Sequence, residues 1–457
     1  MARYESILET VGGTPLIRLT RAAAGLQPRI YVKPEWQNPG GSVKDRAALS
    51  MLRRAESEGA LRPGGTVVEV TSGNTGIGLA MAAAHLGYRA VIFTSSAISR
   101  EKRSQLAAYG AEVRLVDNFV PKAHPDSLRS HGERFVAETP GAWLAAQYDN
   151  PANPAAHYAS TGPEIWSDTD GDITHLVATV GTGGTISGTA RYLKEVSDGR
   201  VQVIGADPTT SSYAGGDGSQ KFIEGAGHFV HPESNVDDWP TSLDSGLIDR
   251  FVRIDDRRAI ETIQWLARTE GILAGGSSGV AVAAALDVAR DLGPDGTVVV
   301  PLPDSGRQYL STYFDDDWLT ANGFAGSAAP TGDPTVGERA TPVPLVDRDE
   351  QVTDVVTRLE NGGIGPDDVA LVLYRRAGRS VAPHPTDVVG ATTLARLRAS
   401  STVADALQSV GPRLGAGLPL PHPSVTRWRD SGDKIALVLD GGRVTGILHP
   451  ESADPDR

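Results

Sequence analysis

TVVEVTSGNTGIGLAMAAAHLGYRAVIF, residues 66–93, decides the fold class. TVVEV (66–70) is a β-branched run with few polar interruptions. TSGNTG is turn chemistry. GLAMAAAHLG (78–87) is an Ala-rich helical stretch that a glycine stops, and RAVIF (89–93) is a second β-type run. Strand, turn, helix and strand in this order make one βαβ unit. The same alternation continues outward through EVRLV (112–116), THLVATV (174–180), VQVIGAD (201–207) and TVVVPLP (297–303). Near-continuous apolar runs of this kind suit strands covered on both faces of a parallel sheet. TARYLKEV (189–196) and GVAVAAALDVARDLG (279–293) supply further helices. The expectation is an α/β fold with a mostly parallel sheet.

The chain has 457 residues, long enough for about two to four domains. It is 40% hydrophobic and 22% charged, an ordinary globular composition. Its formal charge of −13 disfavours a general nucleic-acid binder, because phosphates are repelled. The absence of cysteine excludes disulfides, thiolate nucleophiles, iron–sulfur clusters and cysteine-held zinc or haem. No apolar stretch has the ~20 residues that span a bilayer, and MARYESILETVGGTPL has no signal-peptide pattern. A cytoplasmic protein without membrane partners is expected. Near residue 325 the composition shifts. AGSAAPTGDPTVGERATP (325–342) reads as a linker between a first domain (1–324) and a second (343–457). The second contains two weak repeats with a period near 55 to 60 residues. They are marked by VALVLYR (369–375) with DVVGATTLARL (387–397) and KIALVLD (434–440) with RVTGILH (443–449). SSTVADALQSV (400–410) reads as a helix opened by a Ser/Thr cap.

Four segments carry chemistry. In NPGGSVKDRAALSMLRRAESEGAL (38–61), Ser42 can cap a helix whose first turn holds Lys44. The dipole at a helix N-terminus disfavours an ammonium and lowers its pKa, as a Schiff-base lysine requires. The bland alternative is a solvated Lys44 paired with Asp45. In TSGNTG (71–76), backbone N–H groups and the hydroxyls of Thr71, Ser72 and Thr75 meet at a helix start, a place for a carboxylate or phosphate. In VGTGGTISGTARYL (180–193), Gly181, Thr182, Gly183, Gly184 and Thr185 form a loop whose amides can surround a phosphate. It lacks the Walker ending. It misses the dinucleotide fingerprint at Ile186 but has Asp207 near the ribose position, so a nicotinamide reading stays open from this segment alone. In EGILAGGSSGVAVAAAL (270–286), GGSSG matches a hydrolase elbow, but a helical pattern rather than a strand precedes it. SREK (99–102) matches S-x-x-K without its companion motifs. His228 and His231 have no acidic partner at ligand spacing, and no metal site is expected.

Taken together, VGGTPLIRL (11–19), NPGGSVKDR (38–46), TSGNTG (71–76), GTGGT (181–185), EGILAGGSSG (270–279) and LPDSGRQYLST (302–312) resemble the fold-type II pyridoxal-phosphate enzymes. The resemblance is to the cysteine synthase and cystathionine β-synthase family, over roughly residues 5–320. AQYDNPANPAAHYASTGPEIW (146–166), GADPTTSSYAGG (205–216), IEGAGH (223–228) and YFDDDWL (313–319) look like its cystathionine β-synthase branch. The resemblance implies a two-subdomain, tryptophan synthase β-like catalytic domain that binds pyridoxal 5'-phosphate. Lys44 would hold the cofactor as a Schiff base and later move protons. Asn74 would meet the ring oxygen, Gly181 through Thr185 the phosphate, and Ser277 the ring nitrogen. Thr71, Ser72, Thr75 and Gln147 would bind the amino-acid carboxylate. The implied reaction is β-replacement on serine or an O-activated serine through an aminoacrylate, with homocysteine thiol as nucleophile. Sulfide, as in a cysteine synthase, or another nucleophile is the alternative. A homodimer or higher homo-oligomer is implied. No haem is expected, since VGGTPL is reached at residue 11 and there is no cysteine. Residues 343–457 resemble a degenerate tandem pair of the small α+β CBS repeats, a regulatory or dimerisation domain. Arg396 in GATTLAR and Ser452 in GILHPES stand where adenosyl-binding repeats carry aspartates.

Overall fold

The protein is described from a computed structural model covering residues 3–71, 73–117, 119–234, 236–325, 334–374 and 382–453. The described residues fall into two compact units. The first takes the chain up to Gly216 with Ile223–His228 and Val236–Phe314. The second takes Asp217–Phe222, residues 229–234 and the chain from Asp315 onward.

The first unit contains two sheets. In one, Thr66–Val70 lies between Arg89–Thr94 and Ala142–Leu144, with Glu112–Leu115 outermost, all parallel. The opening βαβ unit is therefore the centre of this sheet, and Asn74–Leu86 is its helix. Val67, Val68, Val91 and Ile92 are fully buried, which explains their uninterrupted apolar pattern. The other sheet has six strands in the order Ile17–Arg18, Arg29–Pro34, Thr297–Leu302, His175–Thr179, Gln202–Pro208, Arg250–Ile254. Only the first pair is antiparallel. Sequence patterning misses Arg29–Pro34 because Lys33 interrupts its apolar run. The Lys33 ammonium is nevertheless buried, donating to Thr14 O at 2.5 Å and pairing with Glu164 at 2.8 Å.

The C-terminal end of Thr297–Leu302 makes the room for a site. Its pairing with Arg29–Pro34 continues to Leu302, but its pairing with His175–Thr179 covers only Val298 and Val299. Pro301 follows, and a proline has no N–H for the ladder. The two central strands part there, at the carboxyl ends where open α/β sheets take their ligands.

In the second unit a parallel pair, Leu345–Asp347 and Val369–Leu373, flanks the helix Val352–Asn361 in sequence. An antiparallel strand Val388–Thr393 and a short helix Leu394–Arg398 follow. The pattern recurs as Arg413–Gly415, Pro423–Arg429, Ala436–Asp440 and Arg443–Leu448. Leu371 and Ala391 of the first sheet and Leu437, Leu439 and Ile447 of the second share one core. The expected period of 55 to 60 residues needs correction. The first two strands recur after 68 and 67 residues, and only the third after 55. The reason is a two-residue hairpin turn, Gly441–Gly442, where the first repeat has a long connection. The helix expected over 400–410 is only a 3-10 turn at Ala404–Ala406. Gln408 then pairs with Ala391 as an extended bridge, so the chain leaves the helical path. Arg396 is built into that turn through donors to Ala406 O and Leu407 O, both at 2.9 Å. The expected linker also differs. Part of 325–342 lies outside the described residues. Its remainder forms the capped helical turn Val336–Arg339, with Val336 in a core beside Trp428 and Leu414.

Candidate active site

Lys44 opens the helix Lys44–Ser57. The loop before it is fixed to the end of Thr297–Leu302: Val43 N donates to Pro303 O at 2.8 Å, and Ser42 bridges Asp304. Ser42 does not take the formal cap position. Its Oγ accepts from Lys44 N at 3.1 Å, one turn tighter. The lysine side chain reaches a cavity that it shares with Asn74, Gly181, Thr182, Gly183, Thr185 and Ser277. Ala178, Pro301, Pro303 and Gly225 form more of the wall, so the cavity lies where the two strands part. Seven of the residues expected from the sequence thus meet in one place.

The Lys44 amine makes no hydrogen bond or ion pair among the described residues. Its pKa is lowered to about 8, by burial first, with the Asp304 carboxylate opposing. Burial, rather than the helix terminus expected from the sequence, is the main cause. The bland alternative fails. Asp45 is buried and turned the other way, its Oδ2 accepting from Gly40 N at 2.6 Å, and burial pushes its carboxyl up to about 7. Arg46 takes Glu35 and Glu164 as partners instead.

Asn74 is the first residue of its helix. Its Nδ2 donates to Asp304 Oδ2 at 2.6 Å, while its buried Oδ1 has no partner. The same Asp304 oxygen accepts from Tyr309 Oη at 2.6 Å, and Tyr309 Oη accepts from Lys102 Nζ at 2.8 Å. Lys102 is completed by Glu224 at 2.7 Å and lies over the Tyr309 ring. This buried chain anchors Asn74. Sequence reasoning missed it, although Asp304 and Tyr309 stand in LPDSGRQYLST and Lys102 ends the S-x-x-K match. That match is a helix cap: Ser99 Oγ accepts from Lys102 N.

Thr75 Oγ1 donates to Gln147 Oε1, which brings together two of the expected substrate contacts. Gln147 is held from behind. Its N–H donates to Glu69 Oε2 at 3.1 Å, and its carbonyl accepts from Asn153 Nδ2 at 2.9 Å. Burial raises the Glu69 carboxyl to about 7. Thr71 Oγ1 accepts from Gly73 N at 3.2 Å and shapes the turn. Ser72 lies outside the described residues.

The glycine loop starts the helix Gly184–Val196. Gly183 has φ +88°, a left-handed conformation that a side chain resists. Gly184 does not line the cavity. A Cβ there would fall 2.0 Å from Asn153 Oδ1, so its role is close packing. Ser277 is buried at the start of Gly276–Arg290. What precedes it is the helix Asp256–Glu270, with no strand, and no histidine bonds it among the described residues. A hydrolase elbow is absent here. Asp207 is buried and accepts from Ala214 N at 3.1 Å, away from the role of a ribose acid. His228 does have an acidic neighbour that its local spacing hid: Nε2 lies 3.1 Å from Asp237, and the ring packs against Tyr213.

Comparison with known proteins agrees with this geometry. A family model described as pyridoxal-phosphate dependent enzyme matches residues 7–304. Cystathionine β-synthase of Apis mellifera is 42% identical over 320 residues, 70% of this chain and 63% of that protein. The chain thus spans less than two thirds of that relative. Cysteine synthase of Staphylococcus aureus is 40% identical over 318 residues, 68% of this chain and 98% of that protein. Among solved structures, a hydrogen sulfide-producing enzyme from Fusobacterium nucleatum matches with TM-score 0.62 and 33% identity, covering 67% of this chain and 100% of that one. A cysteine synthase from Entamoeba histolytica matches with TM-score 0.62 and 35% identity, covering 68% and 90%.

Proposed function

The chain belongs to the pyridoxal-phosphate dependent enzymes, and we propose that it performs β-replacement on serine or an O-activated serine, most closely as a cystathionine β-synthase with homocysteine as nucleophile. One observation carries the reading. A lysine amine with pKa near 8 and no partner shares a cavity with a glycine loop at a helix start, a buried serine and a half-satisfied asparagine. These donors fit pyridoxal phosphate group by group. An amine suits its carbonyl, loop amides its phosphate, a hydroxyl its ring nitrogen, and an amide with an unused hydrogen its ring oxygen.

Bound there, the cofactor supplies an electron sink for the substrate α-carbon. Lys44 would bond its carbonyl carbon and, once displaced by substrate, carry protons between the α-carbon and the departing β-group. A pKa near 8 leaves enough neutral amine at physiological pH for both tasks. The amides of Gly181–Thr185 and the helix dipole behind them would hold the phosphate. Ser277 would face the ring nitrogen with a neutral hydroxyl rather than a carboxylate, which suits elimination at the β-carbon. Thr71, Thr75 and Gln147, with Ser72, would hold the substrate carboxylate. Glu69 and Asn153 keep Gln147 in place.

Two features favour the cystathionine β-synthase branch. The matched cysteine synthase ends with the catalytic region, at 98% coverage, whereas the matched cystathionine β-synthase, like this chain, extends beyond it. The second unit repeats a β-α-β-β order, as a degenerate pair of CBS repeats would. We read it as a regulatory or dimerisation unit of a cytoplasmic homo-oligomer. No helix among the described residues is long and apolar enough to cross a membrane.

The test is spectroscopic. Purified protein should absorb in the visible and lose that band in Lys44→Ala. Serine, O-acetylserine and O-phosphoserine should be titrated in turn, and the donor that shifts the band is the first substrate. Homocysteine should then restore the starting spectrum. Restoration by sulfide alone would move the assignment to the cysteine synthase branch. A colourless protein that takes up no pyridoxal phosphate would overturn the reading.

A further inference from the structure

His157 sits in the helix Ala152–Ala159 with no exposed surface, and each ring nitrogen faces a threonine hydroxyl. Nδ1 lies 2.9 Å from Thr161 Oγ1 and Nε2 lies 3.2 Å from Thr185 Oγ1. Thr161 is equally buried, and among the described residues its hydroxyl has no other partner. Thr185 lines the cavity with Lys44. We infer that His157 is a positioning residue for the anion-binding loop: Thr161 fixes its tautomer so that Nε2–H donates to Thr185 Oγ1, which turns the Thr185 proton toward the bound anion. The inference rests on reading Gly181–Thr185 as a phosphate cradle.

Burial, with the charges of Arg46 and Lys44 and against that of Glu164, holds the His157 pKa well below its usual value. A neutral imidazole has one N–H and one acceptor, so two arrangements exist. In one, Nδ1–H donates to Thr161 and Nε2 accepts the Thr185 proton. Thr185 then presents only lone pairs to the cavity, and an anionic oxygen is repelled. In the other, Thr161 donates to Nδ1, Nε2–H donates to Thr185, and the Thr185 proton is free. A phosphate has only acceptors to offer, so it selects the second arrangement. The neighbouring loop threonine is treated alike. Asn153 Nδ2 donates to Thr182 Oγ1 at 3.0 Å, and its other hydrogen is committed to Gln147 O, which fixes the orientation of the amide. Both cavity-lining hydroxyls are thus supplied from behind by buried N–H donors.

The experiment has two readouts. In 15N-histidine-labelled protein, the His157 signals are assigned by their loss in His157→Gln. With pyridoxal phosphate bound, Nε2 should carry the proton and Nδ1 should not; a protonated Nδ1 overturns the inference. Separately, pyridoxal-phosphate affinity is measured by fluorescence titration for Thr185→Val, Thr161→Val and the double variant, with circular dichroism as the check on folding. Each single change should weaken binding about tenfold, the weight of one hydrogen bond to a charged group, and the double variant should be little worse. If Thr185→Val weakens binding and Thr161→Val does not, the relay is wrong and the cradle stands. If Thr185→Val changes nothing, the cradle reading itself fails.

Discussion

Replacing Asp304 by asparagine keeps the shape of the side chain and removes its charge. The carboxylate opposes the burial that lowers the Lys44 pKa to about 8, so its loss should drive that pKa lower still. An opposite charge within a few ångströms moves a pKa by about one to three units, and a cavity open to solvent belongs at the low end. A shift of about one unit, ~1.4 kcal/mol, would raise the neutral fraction of Lys44 at pH 7.5 from roughly a quarter to roughly three quarters. Competitive acylation of the cofactor-free protein across pH, read by peptide mass spectrometry, measures this directly. Ser277→Ala is the control and should leave the midpoint alone. The same variant replaces the charged acceptor of Asn74 and Tyr309, so cofactor affinity should also fall, by about tenfold. A Lys44 midpoint that stays near 8 or moves upward in Asp304→Asn would refute the electrostatic account.

Glu69 links stability to pH. Its folded-state pKa of about 7 exceeds the ordinary 4.5, so the folded chain binds more protons and stability falls as pH rises through that window. The fall should approach ~3 kcal/mol, and Glu69→Gln should remove that part of the slope in urea unfolding at pH 5 and pH 8. Gly184→Ala drives a methyl into Asn153 and should weaken pyridoxal-phosphate binding more than tenfold, with circular dichroism unchanged. In the second unit, Trp428 is buried with an indole N–H that has no partner. Trp428→Phe should leave calorimetric stability unchanged or raised, whereas Trp428→Ala should lower it by ~3–5 kcal/mol through the cavity left behind.

Several features could be read from residues alone because they are local. The βαβ alternation, the glycine loop before a helix and Lys44 in a first helical turn each need only neighbours in the chain. Their separate readings stayed ambiguous, as GGSSG and Asp207 illustrate, and joint occurrence in order resolved them. The second unit was less legible. Its repeats are short, and a 14-residue connection in one against a two-residue turn in the other disguised the period. The helix expected at 400–410 failed because a long-range bridge from Gln408 to Ala391 outweighed local propensity.

Sequence by itself determined which residue types the site contains and the order in which the chain supplies them, since turn chemistry, helix starts and apolar period are written in adjacent positions. Only the tertiary structure decided how those residues are held and charged. Asn74 meets Asp304 across 230 positions, Lys102 meets Tyr309 across 207, and His157 meets Thr185 across 28. The Lys44 pKa likewise depends on burial by strands and loops far away in the chain. Desolvation and hydrogen-bond partnership are properties of packed neighbours, and packing brings together positions that no local pattern connects.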